Sequence, residues 1–158
     1  MPIVFRGNPT EDTIAYIAAH MREDDKAEVF AASGQTPLEA LREGVRGSSY
    51  LACIHGDGGA PLALYGKTPL PQIGEGVSAP WMLGTKGLEK HRAWVFRSFA
   101  PFVDECQGRD FFWNLIDARN VLHIRWLQFH GFEFVKRHEE FGHSRLPFWE
   151  FIRRVRPD

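Results

Sequence analysis

A chain of 158 residues is long enough to bury a core of its own, and one domain over residues 1–158 is expected. With 44% apolar and 25% charged residues and a net charge of −1, the composition excludes a disordered chain and a global basic field for nucleic acid. Cys53 and Cys106 form no CxxC pair, no stretch approaches a membrane span, and MPIVFRGNPTED lacks a signal-peptide core, so a disulfide scaffold and a membrane protein are not expected and a reduced, cytoplasmic compartment is.

Ile3–Arg6 is a short apolar run and reads as a first strand. Asn8-Pro9-Thr10-Glu11 then signals a helix, with Asn as N-cap, Pro at the first helical position and Glu placed to reach back. Ile14, Ile17, Ala18 and Met21 follow at helical spacing, Arg22–Lys26 reads as the exposed charged part of the same segment, and Gly34 ends it. Thr36-Pro37-Leu38-Glu39 repeats the start signal, and Leu38, Leu41 and Val45 give a second helix. Tyr50–Ile54 and Leu62–Tyr65 flank the turn-rich HGDGGAP, which predicts an antiparallel hairpin. Lys67–Gly76, with Pro69, Pro71, Gly74 and Gly76, reads as a loop, and Val77–Leu83 as a strand.

Gly84–Gly87 turns into an amphipathic helix over Leu88–Ala100, with Leu88, Val95, Phe96 and Phe99 on one face and Lys90 and Arg97 opposite. Pro101 ends or kinks it. Gln107–Asp110 leads into Phe111–Ile116, a bulky strand. Asp117–Asn120 is a polar turn able to cap the helix Val121–His130, which Gly131 ends. Phe132 and Phe134 open another strand, and Val135–Phe141 and Phe148–Val155 read as two more around Gly142–Pro147. Arg153, Arg154 and Arg156 read as a small, solvated basic tail. The order β-α-α-β-β-β-α-β-α-β-β predicts a mixed sheet with helices on both faces. The 13 Phe and 5 Trp suit its core, with room for a ligand groove.

That order resembles the GNAT acyltransferase fold. The local signature is Asn120 followed by Ile124, Leu127, Gly131 and Phe132, because many GNAT enzymes carry an Asn after the fifth strand and a Gly-Phe 11 and 12 positions later. A closer resemblance lies in TrpMetLeuGlyThr (81–85), AspAlaArgAsn (117–120), HisIleArgTrpLeu (123–127) and GlyPhe (131–132). These stretches are similar to the small internal-virion or morphogenesis proteins of T7-like bacteriophages, which look like GNAT relatives used in phage assembly. The resemblance implies an α/β (α+β) fold, with a mixed, mostly antiparallel central sheet of six or seven strands and about four helices on both faces. It also implies a role in the host cytoplasm during assembly or in the virion, with other phage virion or host proteins as partners and no nucleic acid or membrane.

In the GNAT fold, acetyl-CoA chemistry implies a splayed fourth strand that pairs with the pantetheine and backbone N–H groups at the next helix start that hold the pyrophosphate. It also implies a general acid, often Tyr, for the thiolate and a base for the amine proton. Here the matching loop follows Leu83 and reads Gly84-Thr85-Lys86-Gly87-Leu88-Glu89. Gly84 and Gly87 allow close approach, and Lys86 and Lys90 can pair with phosphate, but the Gly-x-Gly spacing is missing and Glu89 brings negative charge. Seven positions after Asn120 stands Leu127, which cannot donate a proton. His123 and His130, on the same helix, are the candidates to replace it and Asp117, at a strand end, the candidate base. Asn120 either binds a pantetheine carbonyl or caps the helix. These departures favour a virion-morphogenesis or internal-core assembly factor with a degenerate acetyl-CoA site over an active acetyl-CoA-dependent N-acyltransferase acting on a host or phage amine. No metal site is expected, since His138–His143 lacks the HExxH spacing.

Overall fold

The computed structural model describes residues 2–106 and 109–155. Its strands are β1 (Ile3–Arg6), β2 (Tyr50–His55), β3 (Pro61–Pro69), β4 (Val77–Gly84), β5 (Phe111–Asp117), β6 (Glu133–Phe141) and β7 (Leu146–Arg153). They form one seven-stranded sheet in the order β1-β2-β3-β4-β5-β7-β6. Every neighbouring pair is antiparallel except β4 and β5.

Helices α1 (Glu11–Ala19), α2 (Glu23–Ser33) and α3 (Pro37–Gly47) precede β2. Helices α4 (Arg92–Ser98) and α5 (Ala100–Cys106) link β4 to β5, and α6 (Val121–Phe129) links β5 to β6. Successive side chains of a strand point to opposite faces, and β4 divides the core this way. Leu83 joins Ile14, Ile17, Val29 and Leu41 under α1–α3. Met82 joins Val95, Phe102, Trp126 and Leu127 under α4–α6. Full burial of a Phe contributes about 1.5–3 kcal/mol, so Phe99, Phe102 and Phe112 anchor that second layer.

The start of α3 follows its sequence signal. Thr36 Oγ1 accepts from Glu39 N–H at 3.2 Å and Thr36 N–H donates to Glu39 Oε1 at 3.0 Å, with Pro37 in the first turn. The start of α1 is displaced: Thr10, not Asn8, is the cap, accepting from Thr13 N–H at 3.1 Å. The single helix read up to Gly34 is two. Met21 leaves the helical path to bridge Thr85, just beyond β4, and Arg22 N–H donates to Gly84 O at 2.9 Å. Within Arg22–Lys26, Glu23 and Asp24 are exposed as expected, but Arg22 and Asp25 face inward. Arg22 and Asp25 are 2% and 0% exposed, and their side chains pair at 2.8 Å.

Strand β3 runs on to Pro69, because Lys67, Thr68 and Pro69 still pair with Pro80, Ala79 and Ser78. The helix read over Leu88–Ala100 is a 3-10 turn, Lys86–His91, followed by α4 and α5 with a bend at Phe99. Pro101 lies in the first turn of α5, where a missing N–H costs nothing. The strands read around Phe134 merge into β6, which begins at Glu133. Arg153 is not part of a solvated tail: it is buried, and its Nε donates to His130 O at 3.1 Å. Arg156, and Gln107 and Gly108 of the expected turn, lie outside the described residues.

Candidate active site

The parallel pairing of β4 with β5 is limited to Val77↔Phe111 and Ser78↔Phe112, after which the strands separate. Asn114 spans the opening. Its Nδ2 donates to Pro80 O at 3.0 Å, and its Oδ1 accepts from Leu115 N–H at 2.8 Å. Pro80 has no N–H to leave unpaired at this point. At the far end of β4, Gly84 N–H donates to Asp25 Oδ2 at 2.8 Å while Gly84 O accepts from Arg22 N–H. Pro80 and Gly84 thus both turn their backbone groups away from β3. By the alternation of an antiparallel ladder, Met82, between them, presents its N–H and C=O to the opening.

The opening is a cavity of about 450 Å³ that reaches from α2 and α3 through the sheet to α6. Leu83, Asn114 and Ile116 line its middle, Glu28 the α2 side, and His123 and Trp126 the α6 side. Glu28 Oε1 accepts from Asp117 N–H at 3.0 Å and from Asn120 Nδ2 at 3.4 Å. Burial, reinforced by the neighbouring Asp25, pushes its carboxyl up to about 8 despite these two donors. Glu28 keeps some accessible surface and lines the cavity. His123 Nε2 and Trp126 Nε1 are buried with no hydrogen-bond partner among the described residues. Burial lowers the His123 pKa, opposed by Asp25, whose Oδ1 is 3.6 Å from Nε2 and outside hydrogen-bond reach. An indole N–H is a donor only, so Trp126 calls for an acceptor oxygen.

A buried network closes the outer end. Arg22 Nη1 donates to Asp25 Oδ1 at 2.8 Å and to Asn120 Oδ1 at 3.4 Å, and Asn120 Nδ2 donates to Asp25 Oδ1 at 3.0 Å. Asn120 therefore neither caps α6 with its side chain nor turns its amide to a ligand; it joins α6 to α2. Asp117 lies outside the cavity lining. Its carboxylate accepts from Arg119 N–H at 2.9 Å and pairs with the Arg119 guanidinium at 2.6 Å, which shapes the turn into α6.

Of the loop residues, Leu83 lines the cavity. The others form a junction in which four backbone donors are engaged: Gly84 with Asp25, Thr85 with Leu62 O at 2.7 Å, Lys86 with His20 O at 3.0 Å, and Leu88 with Thr85 O at 3.0 Å. A Cβ at Gly87 would stand 3.0 Å from a terminal methyl of Leu62, a close contact that a small shift of that side chain would have to relieve. The Lys86 ammonium is exposed 3.5 Å from Glu23, Lys90 is exposed, and Glu89 pairs with Arg22 at 3.3 Å. With these four N–H groups engaged, Gly87 is the residue of 84–88 whose N–H is left to meet a pyrophosphate, a reduced cradle. The opening itself fits an amide-bearing arm, through Met82 and the two unpartnered ring nitrogens.

No protein-family model and no curated protein sequence matches the chain. Solved structures do. A GCN5-related N-acetyltransferase from Kribbella flavida matches with a TM-score of 0.70 and 14% identity over 96% of this chain and 98% of that one. A GNAT superfamily phosphinothricin acetyltransferase from Sinorhizobium meliloti, solved with AcCoA, matches with 0.68 and 15% over 96% and 88%. The ribosomal-protein-S18-alanine N-acetyltransferase of Escherichia coli matches with 0.68 and 11% over 96% and 92%. The chain has the GNAT fold. The likeness to phage morphogenesis proteins rests on the short sequence stretches alone.

Within the GNAT fold of this chain, the residues that sequence reasoning missed are Glu28, Asp25, Arg22, Asn114 and Trp126. Asp25 and Glu28 sit four residues before Val29 and Ala32 on one helical stripe, the sole local sign that those carboxyls face inward. Among the described residues no group of three or more His, Cys, Asp or Glu converges as metal ligands do.

Proposed function

We propose that this chain transfers an acyl group from a thioester of the acetyl-CoA type to an amine held in the cavity between β4 and β5. The observation that carries the reading is Glu28, a carboxyl with a pKa near 8 in the wall of a cavity that crosses the sheet where the two strands part. A base in that range is matched to proton transfer near neutral pH. Glu28 takes the proton of the attacking amine and, once protonated, returns it to the departing sulfur; the C–N bond forms as the C–S bond breaks. Asp117 is not needed as base. His123, held neutral, and Trp126 supply hydrogen bonds rather than a proton. Met82 supplies its backbone amide to an extended donor arm.

Thiol release with acetyl-CoA and a mixture of primary amines tests this. Turnover that rises with pH towards 8 and falls at least 100-fold in Glu28→Gln is expected; turnover unchanged in that variant overturns it.

The engaged N–H groups of Gly84, Thr85, Lys86 and Leu88, with Glu23 and Glu89 nearby, favour a second reading: a GNAT-fold virion-assembly factor that contacts other phage or host proteins without turnover. Calorimetry separates the two. Heat of binding with acetyl-CoA supports the enzyme, and no heat at millimolar ligand supports the assembly factor.

A further inference from the structure

We propose that the part of the cavity beneath α2 and α3 selects an acceptor with an aromatic or compact apolar body and a single amine. This rests on the acyltransferase reading and narrows its substrate. Trp81 of β4 and Phe148 of β7 flank β5 in the strand order, and both line the cavity. Phe141 extends the second wall, its ring centroid 4.9 Å from that of Phe148.

The Trp81 wall is built to stay in place. Its Nε1 donates to Ser48 Oγ at 2.8 Å, and Gly44 of α3 lies against the ring so closely that a Cβ would stand 2.9 Å from it. Over this space the helices place Ala32, Ser33, Ala40 and Gly44, with Val29, Glu28 and Glu43 beside them. Flat rings on either side of a slot with a clear roof favour a planar guest, since aromatic pairs gain from offset and edge contacts.

The charges of the lining point the same way. Its acidic side chains are Glu28, at the inner end, and Glu43, on the exposed rim and hydrogen-bonded to Gln35. Burial keeps Glu28 protonated below about pH 8. A polyamine placing one nitrogen at Glu28 would drag further ammonium groups along the Trp81 and Phe148 walls, where the one other lining carboxylate among the described residues is Glu43 at the rim, already hydrogen-bonded to Gln35. Burying such a charge unpaired is costly. An arylalkylamine carries one nitrogen and an apolar remainder, which matches one polar end and apolar walls.

The test uses the full chain without any acyl donor, so that it does not depend on turnover. Calorimetry compares 2-phenylethylamine with spermidine at pH 8. At least tenfold tighter binding of 2-phenylethylamine is expected. Ala40→Leu, a helix-compatible change that fills the roof, is expected to weaken that binding at least tenfold while the unfolding midpoint stays unchanged. Equal affinities, a preference for spermidine, or full binding in folded Ala40→Leu overturns the inference. Thiol release with the same amines is read separately: no turnover with any of them counts against the acyltransferase reading, while ring-selective binding without donor still upholds the aromatic acceptor pocket.

Discussion

Asn120 Nδ2 donates to Asp25 Oδ1 at 3.0 Å, which ties the entrance of α6 to the first turn of α2 across 95 residues of sequence. The same Asp25 holds Arg22 and the Gly84 N–H. One carboxylate thus fixes α2, α6 and the end of β4 around one mouth of the cavity.

Removing that carboxylate takes from the buried Arg22 guanidinium its shortest partner, with only the longer contacts to Asn120, Glu89 and Asp24 remaining, and leaves the Gly84 N–H unpaired. Asp25→Ala is expected to destabilise the protein by roughly 3–5 kcal/mol, in the range for breaking a buried ion pair from one side. Asn120→Ala, which leaves the Arg22–Asp25 pair intact, is expected to cost about 1–3 kcal/mol. Urea unfolding of both variants checks the order. An Asp25→Ala variant as stable as wild type would show that the network is not fixing these elements.

Glu28 makes stability depend on pH in a defined direction. Its folded pKa, about 8, lies above the ordinary carboxylate value of 4.5, so the folded state holds a proton that the unfolded chain has released. Stability from this group is full below 4.5 and falls as pH rises towards 8. His123 and His130, lowered by burial, act with the opposite sign, mostly below their ordinary 6.5. In the window from pH 6.5 to 8 Glu28 therefore dominates, and comparison with Glu28→Gln removes what the imidazoles still contribute. Wild type is expected to lose stability there, by an amount on the order of 2 kcal/mol, and Glu28→Gln to lose much less. Unfolding curves at four pH values across the window measure this; equal slopes in the two proteins contradict the assignment.

The contrast between α3 and α2 shows what the sequence could and could not disclose. Thr36 and Glu39 bond each other within one turn, so four letters carry the whole signal. The Gly131–Phe132 helix end and the β-α-β order are equally local. The break at Met21 is not, because its cause is Thr85, far along the chain. Arg22, Asp25 and Glu28 stand in a charged run whose bland reading is a wet helix face. Their burial comes from Asn120, Gly84 and the Asp117 N–H, none of which the run can announce. The candidate residues Asp117 and Asn120 fall at this same junction, but as its struts.

The β6–β7 hairpin depends on one residue without a side chain. Gly142 has φ +75°, and a Cβ there would meet Ala31 O at 2.5 Å. The close approach lets His143 N–H and Ser144 N–H donate to Ala32 O and Ala31 O, near the end of α2. Gly142→Ala is expected to cost roughly 2–4 kcal/mol through left-handed backbone strain and the clash. It also loosens the α2 end of the cavity. Thermal unfolding is the measurement, and a drop in Tm of under one degree would mean that the tip can dock another way.

Asn114 and Lys86 give opposite expectations for ligand binding. Asn114 bridges the parted strands through Pro80 O and the Leu115 N–H, inside the cavity lining. Asn114→Leu leaves that carbonyl and that N–H unpaired and narrows the opening, so acetyl-CoA affinity is expected to fall at least tenfold. Lys86 has its ammonium in solvent beside Glu23, and its N–H is already donated to His20 O. Exposed pairs of this kind contribute little, about 0–1 kcal/mol, so Lys86→Ala is expected to change affinity less than about threefold. Calorimetry on both variants at one ionic strength decides the matter. A large loss in Lys86→Ala with none in Asn114→Leu would move the donor site from the opening in the sheet to the loop beyond β4.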